Sequence, residues 1–596
     1  MRSPRLLLPP IRSRPGIALW PCALAAGILC APDRAGAQHL PVGDLGVVDL
    51  AAARIALSAP ADSVSLHLGL GRPTYDDLAA LLAADGSGTA GEPGSRRFAR
   101  ERLRARLGDG PARAPSTRGG LRGWLGRTFY RTPGHALDLA RPGFRLLVDP
   151  VLDLRLGTQS GGDRGGTRFL NSRGVSVRGE IDGRVYFQTT ITENQARLAS
   201  WEREWSAAYE RRVPGVGFYK DYDPRLFDVD DAVDYIQATG ELGFRITRHI
   251  GFTLGHGNPR LGLGRRSVVL DDFVDPFLYA QLDTRVWRIH YRNTYAQLQD
   301  GVPTAGLTPL RRIDRKYVVG HTLSLKLAPA WEVSLTEQTV LARDGGDFDL
   351  QYLNPVILYR AVEQDNGSPD NALFALQSNV RLGDGGLLYG QFLLDEFKFD
   401  ELFGGEGWWA NKYAWQVGGI AFDPLGVGGL EVRAEANLVR PFTFAHRFGN
   451  ISYSHYAQPL AHPWGASLRE GLVEVGYSPA DGWRLDALAA VSRQDDITLP
   501  PEPHVGANPL FNNDARGHLA PEGATSDPNY GYAVAGEAPA DRLFGRARLG
   551  YSPVPGSLIS VAYEYYSRDP TGGDRFGQHG VTFGVRLNAP RRADLY

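Results

Sequence analysis

The sequence predicts an all-β fold: a transmembrane antiparallel β-barrel of about 18 strands, with a small helical N-terminal region on the periplasmic side. Three observations predict it. Apolar residues alternate with polar and charged ones at a period of two along most of the chain. Short and long connections between these segments also alternate. Finally, no apolar run beyond the N-terminal leader is long enough for a helical span, whereas a closed sheet satisfies every backbone group in a bilayer without one.

Composition agrees. The 596 residues include 72 Gly, 40 Pro, 25 Tyr and 25 Phe with only 43% apolar residues, a mixture that suits many short strands and turns. Lys+Arg at 65 nearly balances Asp+Glu at 66, so no net field points to nucleic acid. Residues 1–37 read as a secretory signal. Arg2, Arg5, Arg12 and Arg14 form its basic region, Gly16 to Ala31 its apolar stretch, and Ala35-Gly36-Ala37 its cleavage site. Cys30 invites a lipoprotein reading, but Leu29 is bulky where such a site needs a small residue. Cys22 and Cys30 are the only cysteines, and both lie in this leader, so a processed chain has no disulfide or thiol chemistry.

Residues 38–143 form the expected periplasmic helical and linker region. Thr74 to Ala84 has an N-cap at its start and helical apolar spacing, and Arg96 to Leu107 is a second, strongly basic helical pattern.

From 144 to 596 the period is two. Leu430, Val432, Ala434, Ala436 and Leu438 alternate with Glu431, Arg433, Glu435 and Asn437. Val581, Phe583, Val585 and Leu587 alternate with Thr582, Gly584, Arg586 and Asn588. A half-buried soluble strand alternates too, but charge repeated on the reverse face marks a barrel with an apolar outside. Strands are expected near 150–157, 173–181, 184–192, 234–246, 250–256, 277–283, 286–298, 316–327 and 331–342. A second group is expected near 371–382, 387–399, 411–422, 429–440, 468–478, 483–494, 541–551, 557–568 and 578–588. The short connections, such as Asp182-Gly183 and Ala328 to Ala330, are expected periplasmic turns. The long ones, including 193–233, 343–370, 441–467 and 495–540, are expected external loops.

Candidate binding residues sit in those loops. The stretch His256 to Ser267 is glycine-rich but lacks the Gly-Lys-Ser/Thr and helix of a phosphate loop, so it reads as a turn. Its Arg265 and Arg266, followed by Asp271 and Asp272, offer forks for an anionic sugar. Asn354, Arg360 and Glu363 form a second polar cluster, whose structural reading is an Arg360–Glu363 pair holding a loop folded into the barrel mouth. Trp201 and Trp464 are too deep in loops for an interfacial girdle, so they suit sugar stacking or loop packing. Glu431, Arg433 and Glu435 should line the lumen, either filling it or bordering a pore. The acidic run Asp221 to Asp234 lacks the glycine and terminal glutamate of a calcium loop. No metal and no cofactor are expected. No Gly-x-Ser-x-Gly elbow and no His-Glu-x-x-His site occurs, so catalytic residues are not assigned.

Several motifs together resemble a known family. They are Asn171-Ser172-Arg173-Gly174, Leu263 to Asp272, Leu353-Asn354-Pro355 through Arg360 and Glu363 to Asn371, and Tyr389-Gly390-Gln391 with Asp395-Glu396-Phe397. Over about 144–590 the chain resembles gliding-motility RemB-like proteins and, more distantly, the capsule-assembly Wzi family. That resemblance implies an eighteen-stranded outer-membrane barrel with periplasmic helices and a role in capsular polysaccharide attachment or surface gliding. The Arg- and Ala-rich N-terminal region and the long 495–540 loop depart from the pattern.

The leading expectation is a non-enzymatic protein of the bacterial outer membrane that binds or helps assemble extracellular polysaccharide. Its partners would be the lipid bilayer and that polysaccharide, not nucleic acid. A porin-like diffusion channel and an outer-membrane hydrolase are the alternatives.

Overall fold

The computed structural model describes residues 46–58, 66–85, 94–107, 135–161, 165–210, 213–223, 231–301, 314–367, 370–396, 398–402, 404–497, 506–511, 513, 529–554, 556–590 and 595–596. The expected leader 1–37, with Cys22 and Cys30, lies outside them, as do Asp228 and Asp230 of the acidic run and most of 495–540.

Eighteen strands form the wall. The first nine are β1 (Phe144–Ser160), β2 (Gly166–Ile181), β3 (Val185–Arg197), β4 (Ala232–Arg245), β5 (Ile250–Gly257), β6 (Phe277–Val286), β7 (Ile289–Gln299), β8 (Arg315–Ala328) and β9 (Trp331–Leu341). The rest are β10 (Asn371–Leu382), β11 (Gly386–Glu396), β12 (Lys412–Phe422), β13 (Leu430–Val439), β14 (Leu468–Tyr477), β15 (Trp483–Asp495), β16 (Pro539–Tyr551), β17 (Ser557–Pro570) and β18 (Phe576–Leu587). Each pairs antiparallel with its neighbours, and β18 returns to β1 from Leu152↔Leu587 to Ser160↔His579, which closes the sheet. A short strand, Leu137–Arg141, takes over the lower part of that edge of β1, from Leu137↔Val148 to Arg141↔Phe144. Pro150, which has no N–H to donate, sits between the two partners.

Burial runs opposite to that of a soluble protein. Along β13 the charged and amide side chains Glu431, Arg433, Glu435 and Asn437 are buried, while Ala434 and Ala436 are exposed. Leu335, Val561, Val581 and Phe583 are each about half exposed on the outer wall. Trp287, Trp331 and Trp483 are exposed near the short-turn ends, with Trp483 against Tyr551, as an interfacial girdle requires. No helix among the described residues is long and apolar enough to cross a membrane. This is the wall of an outer-membrane-type barrel.

Three N-terminal helices, α1 (Gly46–Ser58), α2 (Tyr75–Asp85) and α3 (Gly94–Leu107), pack at the short-turn end. The Thr74 hydroxyl accepts from Asp77 N while Asp77 accepts from Thr74 N, a reciprocal cap that starts α2 where the sequence places it. Arg54 of α1 donates to Asp384 O at 2.7 Å and pairs with Asp423, anchoring the bundle to two short turns.

The lumen is filled from both ends. From the short-turn end, residues 66–77 enter and bind the inner wall. Glu332 accepts from Leu68 N and Gly69 N, Arg292 donates to Leu70 O, His67 bonds Ser324, and Arg285 forks onto Asp77. From the long-loop end, residues 258–274 descend until Gly262 N reaches Gly69 O at 2.9 Å. The 440–467 connection is also buried, packed against that segment through Tyr453 OH to Val269 O.

Candidate functional site

The inward segment 258–274 carries four of the sequence-predicted residues, and the structure places all four inside rather than at the external surface. Arg265 N and Arg266 N donate to the two oxygens of Glu435 at 2.6 and 3.1 Å. The Arg266 guanidinium forks onto Glu470 at 3.1 and 3.0 Å and also donates to Leu595 O at 2.6 Å. Asp271 accepts from Ser267 N and Asp272 N, and burial raises its carboxyl above the ordinary carboxylate range. Asp272 pairs with Arg260. The segment is clamped by Gln391, which accepts from Val268 N and donates to Leu261 O. Two of the motifs read separately in the sequence, 263–272 and 389–391, therefore meet in the lumen.

Trp201 and Trp464 are buried as well. Trp201 lies in helix α4 (Ser200–Ala208), between Phe544 and Tyr566, with the Arg168 guanidinium 5.2 Å from its ring. Trp464 packs on Tyr596 with Arg542 at 4.6 Å. Both rings are thus committed to packing, and neither presents a bare face at the external surface. Arg360 and Glu363 do form the expected pair, but the loop that they hold lies against the outside of the wall and not in the mouth. Its backbone binds Glu337, whose place on β9 alternates with the lumenal Glu332. Asn354 is exposed in the same loop, where it accepts from Val356 N. Sequence spacing brought these three together correctly; it held no signal for which face of the wall they cover.

The filling is uneven. Segment 66–77 lies against β4 to β10, and segment 258–274 reaches across to β11 to β14. A cavity of about 290 Å³ remains along β13 to β18 and β1 to β3. Trp201, Arg265, Glu431 and Arg433, four residues singled out in the sequence, share its lining. Its lining carries nine arginines and five carboxylates; Asp153, which pairs with Arg155 and Arg586, and Asp231, which pairs with Arg197, bring the acids to seven and leave an excess of two positive charges. The shortage of acids is visible in the pairing. Glu474 serves both Arg265 and Arg433, at 3.2 and 3.0 Å. Asp486 serves both Arg484 and Arg548, at 2.6 and 2.8 Å. Glu564 serves Arg168 and Arg546. Sequence reasoning found Glu431 and Arg433 by parity, and the same parity applied to Arg484, Arg546, Arg548 and Arg586 finds the others.

An arginine set of this kind is suited to a multivalent anion. Guanidiniums stay charged and fork onto carboxylate, phosphate or sulfate, and enclosure in low dielectric strengthens each contact. The volume lies at the lower end of small-molecule sites, enough for a short piece of a chain and not for a folded partner.

No family model and no curated protein matches the sequence. Solved structures do match in fold. Wzi of Escherichia coli, an outer-membrane protein involved in group 1 capsule assembly and described as a carbohydrate-binding β-barrel, aligns over 92% of this chain and 100% of its own, with TM-score 0.54 and 11% identity. Pseudomonas aeruginosa OccK8 (OprE) and OprD each align over 74% of this chain and over 98% and 95% of their own, with TM-score 0.37 and 10% and 11% identity. The chain is therefore similar in fold to Wzi, the more distant of the two expected resemblances; the gliding-motility resemblance is not shown by these matches.

Proposed function

We propose that this chain is a non-enzymatic outer-membrane protein that binds an acidic extracellular polysaccharide and helps attach or assemble it at the cell surface. One observation carries the reading: the barrel stops its own bore with chain from both ends, yet keeps a cavity with an arginine excess along one wall. A free diffusion path gains nothing from such stoppers, whereas a binding protein uses them to fix the wall that holds the ligand. The neighbour that aligns over nearly all of this chain is described as carbohydrate-binding, which supports the same reading and favours a capsule role over a gliding one. The three N-terminal helices, on this view, face the periplasm and the long loops face outward.

The test is calorimetric titration of the barrel in nanodiscs with an oligosaccharide of uronic acid units and with a neutral one of equal length. Only the acidic sugar should bind, and salt should weaken it. The double variant Arg484→Ala, Arg548→Ala should lose most of the affinity while its heat-dependent mobility on gels stays that of a folded barrel. Equal binding of the neutral sugar, or full affinity in the variant, would refute the proposal.

One observation favours a second reading, an anion channel. The cavity lining runs from Leu50 of α1 and Arg586 at the short-turn end to Trp201 and Glu202 of α4 at the long-loop end. Planar-bilayer recording separates the two, because a binding barrel stays silent and a channel passes anions steadily.

A further inference from the structure

Asn293, His321 and Glu337 stand in register across β7, β8 and β9. Their strand neighbours Arg292, Ser324 and Glu332 hold the lumenal segment 66–70, so these three side chains point out of the barrel. Glu337 lies six residues beyond the exposed Trp331 of the girdle. That is about 20 Å along a strand and roughly 15 Å of height at a barrel's tilt, inside an apolar band about 25 Å tall. A carboxylate, an imidazole and an amide facing lipid at that depth would be costly. Yet all three are buried, with at most 6% of their surface exposed.

The 344–365 loop covers them. Glu337 accepts from Tyr359 N at 2.9 Å and Arg360 N at 2.7 Å, the opening amides of helix α5 (Tyr359–Asp365). His321 bonds Ile357 O and Asn293 Oδ1, each at 2.8 Å, and stacks on Tyr359 at 3.8 Å. Tyr291, Tyr295 and Tyr317 donate to the carbonyls of Pro355, Leu353 and Gly346. Tyr352, Tyr359 and Val362 pack on the outward Val319 and Leu341. The loop turns Leu350, Leu353, Val356, Ile357 and Leu358 outward, with Leu350, Val356 and Leu358 66–79% exposed, while its exposed polar side chains are Gln351 and Asn354 among them and Arg360, Gln364 and Asp365 on the helix that follows.

We propose that residues 349–365 are a membrane-seated strap: a loop folded onto the outer wall that seals a polar row and inserts the aliphatic side chains of its 350–358 part among the acyl chains of the outer leaflet, with the polar face of helix α5 turned to the headgroups. Lipid is the occupant because the patch continues the wall's own belt. Leu323, Leu335, Phe374 and Leu376 are exposed and apolar on the same strands and on β10 beside them. This goes beyond polysaccharide binding, since it places a loop expected in the external medium inside the membrane.

The test uses the full chain with Cys22→Ser and Cys30→Ser, carrying Val356→Cys labelled with an environment-sensitive fluorophore and reconstituted in phosphatidylcholine vesicles. Leu335→Cys serves as a wall control and Leu425→Cys, on an exposed short turn, as an aqueous one. The strap requires blue-shifted emission at 356 that is mostly lost to lipids brominated in the acyl chain and barely touched by aqueous iodide, as at 335. Quenching by iodide, as at 425, overturns the strap, and so does protection from both quenchers, which would mean that protein covers the patch. A probe at 335 that stays aqueous overturns membrane insertion itself, and the strap with it.

Discussion

Glu332→Ala should unseat the segment that stops the short-turn end of the barrel. In the folded chain the Glu332 carboxylate accepts from Leu68 N at 2.9 Å, from Gly69 N at 2.7 Å and from Asn379 Nδ2 at 3.1 Å. Gly69 approaches so closely that a Cβ there would lie 2.9 Å from the same carboxylate. Hydrogen bonds to a charged partner contribute about 1.5–3 kcal/mol each. Alanine removes both backbone contacts and leaves two amides buried without acceptors, so docking weakens by about 3–5 kcal/mol. At about 1.4 kcal/mol per factor of ten, the undocked population rises by roughly a hundred- to a few thousand-fold. Planar-bilayer recording reads this directly: the wild type should be almost silent and Glu332→Ala should show frequent brief openings. Glu332→Gln keeps one oxygen acceptor and should fall between them. Added protease should also cut the N-terminal region of the alanine variant faster. Silence and unchanged proteolysis in Glu332→Ala would refute the claim that this carboxylate holds the segment in place.

Three further outcomes follow from the same contacts. Burial lowers the His67 imidazole to about 3, with His290, Lys326 and Arg285 nearby adding to it, so the undocked state binds a proton first as pH falls below about 6.5. Docking is therefore strongest at neutral pH and loses about 2 kcal/mol by pH 5, seen as openings that increase on acidification and cease to respond in His67→Gln. Arg266→Ala leaves Glu470 with only His462 and Asn437 for company, and should lower the midpoint of unfolding from vesicles in urea by the equivalent of about 3–5 kcal/mol. Gly174→Ala puts a Cβ 1.9 Å from Ile191 O, so the β2–β3 pairing must spread, and the yield of assembled, heat-modifiable barrel should drop sharply.

The strand count, the antiparallel order and the inward or outward side of the wall residues were legible in the sequence. The count and order follow from the number of alternating segments and the alternating lengths of their connections, and the side follows from parity, a local property: Glu431, Arg433 and Glu435 cannot share a face with Val432 and Ala434 in any pleated strand. Helix α2 was legible for the same reason, through its cap at Thr74. Helix α1 was not, because Ala51 to Leu57 are buried almost without interruption and so leave no amphipathic period to read.

Where the connections go was decided only in three dimensions. Segments 258–274 and 344–365 are both long, polar and glycine-bearing, yet one descends into the bore and the other lies on the outer wall. The difference rests on distant partners. Glu435 and Gln391 receive the first segment and Glu337 the second, and no local pattern in either loop encodes those acceptors. The sequence alone thus determined which wall residues point outward and which point inward, since that depends only on the pleat; that the outward Asn293, His321 and Glu337 lie under the 344–365 loop did not follow from it. The tertiary structure decided which of the interior charges surround open space, since that depends on how much of the bore the chain's own loops fill.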